Sequence, residues 1–295
     1  MTPTLVRRHV RHAGRTPRVD QRARARDWSE IQERMLVPLY EAVYERLEVG
    51  RGTRLLALGC GSGLALLMAA SRGAAVTGVD TSSPERLALA RQRLLPQPWD
   101  SRAGARARIV EGSPADADGS GDAAGDGEGA NAPAYTLVTA FEPVGYPADD
   151  AERLSGPLAA ATRLAERGAP VVLAGWGPPE RCATSSVLRA AAGLADPLDG
   201  PDGPRPALRD GLEEVALRAG LRPDGSGRVA CPFGYADLDS AVRGLLSTGL
   251  FDAAIAATDP NRVDKELTEA LHVHQRRDGT VWMPNVFRYL IARTP

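Results

Sequence analysis

The sequence predicts an α/β fold, in which a mostly parallel sheet carries helices on both faces. Short apolar runs alternate with helix-like segments from residue 54 to residue 174, and this alternation is typical of parallel strands joined by crossover helices. A glycine-rich break, Gly59 to Gly63, directly follows the first apolar run. Asp80 ends the next apolar run, about 20 residues after the glycines. Together these observations predict a nucleotide-type site at one edge of the sheet.

The chain begins with a segment that predicts a flexible basic arm. Residues 1–26 contain eight arginines and few apolar residues, a composition that cannot bury a core. A helix is predicted from Asp27, because Asp27 or Ser29 can cap it and apolar residues then recur at helical spacing as far as Leu47. Pro38 predicts a kink within that helix. The main domain is therefore predicted to span residues 27–295.

The remaining elements follow from the period of the apolar residues. Strands are predicted at 54–58, 75–79, 108–110, 135–141, 170–174, 222–231 and 286–292. Helices are predicted at 61–72, 84–95, 151–166, 185–194, 208–219, 236–247, 249–257 and 261–274. Residues 112–133 interrupt the pattern with Gly, Ala, Asp and Ser, which predicts a mobile acidic loop.

The glycine loop and Asp80 have residue types that suit a bound nucleoside. Gly59, Gly61 and Gly63 let the backbone turn sharply and approach a ligand where a Cβ would clash. Asp80 can accept hydrogen bonds from both hydroxyls of a ribose. A dinucleotide site usually has a small residue at the third position of its glycine pattern, whereas Leu66 stands there when the pattern is counted from Gly61. The loop therefore departs from the usual dinucleotide pattern.

With Gly78-Val79-Asp80-Thr81-Ser82 after it, the loop resembles the cofactor loop of class I S-adenosylmethionine (SAM) methyltransferases. The resemblance extends over about residues 28–293 and points to bacterial enzymes that methylate quinones and secondary metabolites. The segments that carry it are 56–63, 76–82, 137–141 and 284–292. It implies a Rossmann-like, seven-stranded, mostly parallel sheet whose last strand runs antiparallel. It also implies a helical lid at residues 232–280, joined by the N-terminal helix.

The resemblance further implies that SAM is the cofactor. The residues that it places against SAM are Trp28, Gly59, Cys60, Gly61, Gly63, Asp80, Thr81, Ser113 and Phe141. The family usually has acids at three positions that are occupied here by Ala57, Ser113 and Thr136. Asp80 is therefore the acid of the usual set that this sequence retains.

Methyl transfer asks little acid–base chemistry of a protein. It is an in-line displacement at the sulfonium methyl, for which the protein aligns the reacting atoms and excludes water. A hydroxyl or carbon nucleophile benefits from a base, and the candidates are Glu142, after the fourth strand, and His274 or His272, at the end of a predicted helix. The alternatives are a solvated loop acid for Glu142 and a histidine that interacts with the helix dipole. No metal site is predicted.

Composition bounds the function in other ways. The 36 basic and 37 acidic residues leave a net charge of −1, which gives no reason to propose binding to nucleic acid or to a membrane surface. Three widely spaced cysteines form no disulfide or zinc pattern, and this fits a reducing cytoplasm. No apolar run reaches the ~18 residues that span a bilayer. These observations predict a cytoplasmic protein with a small-molecule substrate. Whether it forms a homodimer is left open.

Three functions stay open at this point. The first is a SAM-dependent methyltransferase that acts on a small apolar metabolite. The second is an enzyme on the same fold that has lost methyl transfer and catalyses a cyclisation or rearrangement. The third is a non-catalytic binding protein. The glycines and Asp80 favour the first function, whereas Ala57, Ser113 and Thr136 favour the other two.

Overall fold

The computed structural model describes residues 20–94, 107–117, 134–144, 150–195 and 211–295. Its strands are β1 Arg54–Leu58, β2 Ala75–Asp80, β3 Ala107–Glu111, β4 Leu137–Val144, β5 Pro170–Trp176, β6 Arg222–Ala230, β7 Phe233–Tyr235, β8 Val281–Met283 and β9 Val286–Arg293. Its helices are α1 Gln21–Asp27, α2 Val37–Arg46, α3 Leu64–Ser71, α4 Pro84–Leu94, α5 Asp150–Leu164, α6 Thr184–Ala195, α7 Gly211–Arg218, α8 Leu238–Ser247, α9 Asp252–Ala257 and α10 Pro260–Leu271.

Seven of these strands form one sheet in the order β3-β2-β1-β4-β5-β9-β6. Strands β1 to β5 pair in parallel, and β9 runs antiparallel between β5 and β6. The predicted α/β class, with a Rossmann-like, seven-stranded and mostly parallel sheet, is confirmed. The strand order reverses at β1, because β2 and β4 lie on its two sides, and such a switch point is where ligands bind in open α/β sheets.

The sheet is buried on both faces. Successive residues of a strand point to opposite faces, so two neighbouring residues report on both. Leu55 and Leu56 are both fully buried, yet they belong to separate hydrophobic cores. Leu55 lies in the core that includes Tyr44 of α2, and Leu56 lies in the core that includes Leu158 of α5. Helices therefore cover both faces, and the carboxyl edge of the strands is left for a site.

The N-terminal helix begins earlier than predicted and is irregular. Helix α1 starts at Gln21 because Asp20 caps it, its Oδ1 accepting from the backbone N of Arg22 at 3.0 Å. The arm predicted at residues 1–26 is corrected for its last residues, which are helical, while residues 1–19 lie outside the described part of the chain. A π-helical segment, Trp28–Gln32, and a 3₁₀ segment, Glu33–Leu36, then lead into α2.

Residues 232–280 are helical for most of their length but also contain β7, a strand that the sequence did not predict, and its unpredicted partner β8 begins at the next residue, Val281. Strands β7 and β8 pair antiparallel, with Phe233 opposite Met283, as a separate two-stranded sheet. Helices α9 and α10 pack on α6, and α8 packs on α1. Of the predicted acidic loop, residues 112–117 are described and include a 3₁₀ turn at Pro114–Ala117, whereas residues 118–133 lie outside the described part. No helix in the described ranges is long and apolar enough to cross a membrane.

Candidate functional site

The glycine loop between β1 and α3 has the backbone conformation that its sequence predicts. Gly59, Gly61 and Gly63 have φ angles of +64°, +55° and +81°, which side-chain-bearing residues rarely adopt. A Cβ added at Gly63 would lie 3.0 Å from the Cβ of Ala90 in α4. The third glycine thus lets α3 and α4 approach each other, and the first two shape the loop itself.

Asp80 ends β2 and holds the glycine loop. Its side chain is 5% exposed, and its Oδ2 accepts from the backbone N of Gly61 at 3.0 Å. Its Oδ1 accepts from both the backbone N and the hydroxyl of Ser82, each at 2.6 Å. A carboxylate offers about four lone-pair sites. Three of these sites are in use, so Asp80 can brace the loop and accept one further hydrogen bond from a ligand, or two when the Ser82 hydroxyl turns to another acceptor.

A cavity of about 750 Å³ lies along the carboxyl edge of the sheet. Its walls include Ser113 beyond β3, Asp80 at the end of β2, Gly59 beyond β1, Glu142 in β4 and Trp176 at the end of β5. Such a volume suits a small molecule or a cofactor and its partner. The cavity thus spans the switch point of the sheet, with the glycine loop near its middle.

Beyond β4, the large cavity has an aromatic wall. Trp176 and Phe287 face each other across the β5–β9 pair with ring centroids 4.6 Å apart. Phe233 of β7 completes the group, with its ring centroid 6.1 Å from that of Trp176 and 6.0 Å from that of Phe287. All three rings line the cavity. This end favours a flat apolar ligand group, and the strand that carries Phe233 was not predicted.

A second, smaller cavity of about 30 Å³ adjoins the glycine loop. Its walls are Trp28, Glu33, Leu36, Tyr40, Ala57, Leu58, Gly59, Cys60, Gly61, Ala65, Leu66, Asp80, Arg86, Thr139, Phe141 and Glu142. Trp28, Asp80, Arg86 and Glu142 line both cavities, so the small chamber adjoins the large one.

Arg86 is a site residue that the sequence did not reveal. Its guanidinium lies 4.2 Å from the centroid of the Trp28 ring, and its Nη2 donates to the carbonyl of Ser247 at 2.7 Å. Burial lowers the pKa of Arg86, and the carboxylates of Glu142 and Asp80 oppose that change. No sequence signal marks this arginine, because α8 and the N-terminal segment supply its contacts from far along the chain.

Glu33 is a second residue that the sequence analysis missed. Its side chain is 3% exposed, and its Oε2 accepts from Nη1 of Arg93 at 2.7 Å and from the hydroxyl of Ser62. Arg93 also donates to the hydroxyl of Ser29 at 2.5 Å. These contacts tie the N-terminal segment and α4 to the glycine loop. The sequence predicts a regular helix here, and Glu33 is not part of its apolar stripe. The irregular segment at 28–36 nevertheless buries this side chain.

The structure brings most of the predicted site residues together. The large cavity is lined by Trp28, Gly59, Asp80, Thr81, Ser113 and Glu142. The small cavity is lined by Trp28, Gly59, Cys60, Gly61, Asp80, Phe141 and Glu142. Of the predicted site residues, all of which are described, Gly63 and the two histidines, His272 and His274, line neither cavity. The packing of α3 against α4 accounts for Gly63.

Three of these residues have structural roles that their positions explain. Burial raises the pKa of the Cys60 thiol to about 12, so this side chain is a neutral packing group; a Cβ added at Gly78 would lie 2.8 Å from its Sγ. Phe141 packs on Tyr40, with ring centroids 4.9 Å apart. Ser113 is exposed and donates its hydroxyl hydrogen to Asp116 at 2.9 Å.

Thr136 does not belong to the site. Its Oγ1 accepts from the backbone N of Arg54 at 2.9 Å, so it lies where β1 begins, at the edge of the sheet opposite the cavities. The sequence comparison with family acids is corrected at this position, since a threonine there cannot affect ligand binding directly. The remaining departures from the family pattern near the cavities are Ala57 and Ser113.

His274, which the sequence analysis offers as a base, lies apart from both cavities. It ends the 3₁₀ turn His272–His274, which contacts β8, and it lines neither cavity. Its Nε2 is buried and has no hydrogen-bond partner among the described residues. Burial lowers its pKa from the ordinary 6.5. The turn ends on the small β7–β8 sheet rather than at the carboxyl edge of the main sheet.

His274 is expected to make the protein less stable in mild acid. Because its pKa is lowered on folding, the unfolded chain binds the proton more readily, and the free energy of unfolding should fall as the pH drops from about 7 to about 5. Urea unfolding of a His274→Gln variant should show less of this loss than the wild type. His272→Gln, at an exposed neighbour, is the control, and equal pH dependence in the His274→Gln variant and the wild type would contradict the expectation.

Comparison with known proteins shows the fold. No protein-family model and no curated protein matches the chain. Among solved structures, it is similar to a candidate methyltransferase from Bacillus halodurans, with a TM-score of 0.51 and 13% identity over 87% of this chain and 98% of that one. It is similar to the YcgJ protein from Bacillus subtilis, with a TM-score of 0.50 and 12% identity over the same shares. It is also similar to a SAM-dependent methyltransferase from Thiobacillus denitrificans, solved with S-adenosyl-L-homocysteine (SAH). That match has a TM-score of 0.48 and 18% identity over 94% of this chain and 99% of that one.

Proposed function

We propose that this protein is a SAM-dependent methyltransferase whose acceptor is a small molecule with a flat apolar part. The observation that carries the proposal is Asp80, a buried carboxylate bonded to the Gly61 amide, where the glycine loop opens into a cavity of about 750 Å³. A buried acid next to a tightly turned loop at the switch point suits a ribose. The bacterial secondary-metabolite type is the finer part of this proposal.

The residues around the loop fit such a cofactor. A Cβ added at Gly59 would lie 3.3 Å from Oε2 of Glu142, and one at Gly61 would lie 3.3 Å from Nε1 of Trp28, so larger residues would fill the space beside the loop. Asp80 would hold the ribose, and Thr81 and Ser113 line the cavity on the side toward β3. When bound, SAM supplies an electrophilic methyl group on its sulfonium.

The chain's own residues would orient the acceptor and exclude water. The aromatic wall of Trp176, Phe233 and Phe287 would hold the flat part of the acceptor. Glu142 lies between this wall and the glycine loop along the sheet edge, where it could accept a proton from the acceptor. The turn after α8 and helix α1 also line the cavity. In this proposal the domain spans residues 27–295, and its residues 232–280 form a cover over the site. The protein is proposed to be cytoplasmic.

Calorimetric titration tests the cofactor directly. The wild-type protein should bind both SAM and SAH with micromolar dissociation constants, because the two ligands share the ribose and the amino-acid end. NAD⁺ is the control, since Leu66 stands at the third position of the dinucleotide pattern. Absence of heat with millimolar SAM and SAH would refute the proposal, and so would tighter binding of NAD⁺ than of SAH.

A second candidate function is an enzyme that binds SAM without transferring its methyl group and catalyses a cyclisation or rearrangement. The observation that favours it is Ala57, which lines the small cavity at a position where the methyltransferase family usually has an acid. Incubation with methyl-tritiated SAM and a metabolite extract separates the two functions. Tritium in an organic-extractable product supports methyl transfer, whereas SAM binding without any transfer favours this second function.

A further inference from the structure

The small cavity has an excess of negative charge. Three carboxylates, those of Glu33, Asp80 and Glu142, line it, and the guanidinium among its described walls is that of Arg86. Arg93 adds a second positive charge from outside the walls, through its ion pair with Glu33. The three acids therefore exceed the two bases even when both arginines are counted. An enclosed site of this kind favours a cationic ligand group.

Two buried polar atoms without partners also converge on this cavity. Thr139 is fully buried, and its Oγ1 has no hydrogen-bond partner among the described residues. Nε1 of Trp28 is likewise buried and unpartnered in the described part of the chain. Buried polar side-chain atoms are rarely left unpaired in native proteins, and both residues line the same chamber. Their arrangement points to a polar ligand group that supplies the missing partners.

The register of the sheet explains why the buried side chain of Thr139 faces this chamber. Thr139 in β4 is paired with Ala57 in β1, and paired residues of parallel strands point to the same face. Ala57 has a small side chain, which leaves space beside the threonine hydroxyl. Glu33 reaches the chamber from the other side, on the N-terminal segment that covers the glycine loop. The hydroxyl of Thr139 and the carboxylate of Glu33 thus line the same chamber, in which Ala57 of β1 offers no polar side chain.

We propose that Thr139 and Glu33 form an ammonium subsite that receives the α-amino group of the cofactor. The Thr139 hydroxyl would accept an N–H of that ammonium group, and Glu33 would balance its charge. Nε1 of Trp28 would donate to the carboxylate at the same end of the ligand. This inference rests on the proposed function, because it assigns residues to the amino-acid end of SAM.

A Thr139→Val variant tests the subsite with two ligands. SAH has the amino-acid end, whereas 5′-methylthioadenosine has the same nucleoside and a thioether but lacks it. The variant should bind SAH about tenfold or more weakly than the wild type, because a hydrogen bond to a charged group is lost. Its affinity for 5′-methylthioadenosine should stay within about twofold. Its melting temperature without ligand should be unchanged or higher, because the valine removes an unpaired buried hydroxyl.

A matched control is available within the chain. Thr184 is also fully buried, and its Oγ1 has no hydrogen-bond partner in the described ranges, but it lines neither cavity. Thr184→Val should leave the affinity for SAH unchanged, while Glu33→Gln should weaken SAH more than 5′-methylthioadenosine. Wild-type affinity of Thr139→Val for SAH would overturn the subsite alone, and so would an equal loss for both ligands. If the wild-type protein binds neither ligand, the proposed function itself fails.

Discussion

An Asp80→Ala variant should lose SAH binding by about a hundredfold or more while it remains folded. The side chain is buried, and each hydrogen bond from a ligand hydroxyl to its carboxylate is worth roughly 1.5–3 kcal/mol. Two such bonds, the second formed when the Ser82 hydroxyl turns away from Asp80, account for a loss of that size. The same carboxylate accepts from the Gly61 amide, so the loop should also become more mobile. Calorimetric titration with SAH and a thermal melt measure the two effects separately.

Asp224→Ala is the matched control for this experiment. Asp224 is an exposed acid on the edge strand β6, where it pairs with Arg293, so its removal should change neither the affinity for SAH nor the melting temperature by much. An Asp80→Ala variant that binds SAH within about threefold of the wild type would show that the ribose contact lies elsewhere. Loss of the folded state in Asp80→Ala would instead call for Asp80→Asn, which keeps an acceptor oxygen at the Gly61 amide.

Arg93→Met should lower the free energy of unfolding by about 3 kcal/mol. This change would leave the carboxylate of Glu33, which is 3% exposed, without its charged partner, and removal of one partner from a buried pair typically costs about 3–5 kcal/mol. The lower value is expected because the Arg93 side chain is 25% exposed. Arg93 also donates to Ser29 and Ser62, so the N-terminal segment should loosen from the glycine loop. Urea unfolding curves give the difference.

Two further variants make this expectation specific. Arg218→Met breaks an ion pair with Glu214 in which both side chains are 53% exposed, so it should change stability by well under about 1 kcal/mol. Glu33→Gln combined with Arg93→Met should recover part of the loss, because no unpaired charge is then buried. A destabilisation by Arg93→Met no larger than that by Arg218→Met would mean that solvent reaches Glu33 freely.

The main sheet could be predicted from the sequence because its signals are local. The apolar run 54–58 becomes β1 with both predicted ends, and it is buried on both faces, as a continuous apolar run of this length suggests. The glycines and Asp80 are likewise read from short segments, and the structure places them together. By contrast, β7 and β8 have three residues each and lie far apart in the chain, so no local pattern of apolar residues predicts them.

The parts of the site that escaped prediction are those assembled by tertiary contacts. Glu33, Arg86 and Thr139 come from three separate elements, and nothing in their neighbouring residues indicates that they share one chamber. His274 was proposed because of its chemistry, but its position depends on how the last helices pack, and they place it elsewhere. Sequence reasoning therefore found the glycine loop and several residues that line the cavities beside it, but not Glu33, Arg86 or Thr139.

The π-helical segment at Trp28–Gln32 also sets the angular phase between α1 and α2. A regular helix turns about 100° per residue, and a π turn accommodates one more residue than an α turn does. Deletion of a single residue from this segment would rotate α1 by about a quarter of a turn or more about its axis. Arg24 and Asp27 would then turn away together from their ion-pair partners, Asp252 of α9 and Arg243 of α8.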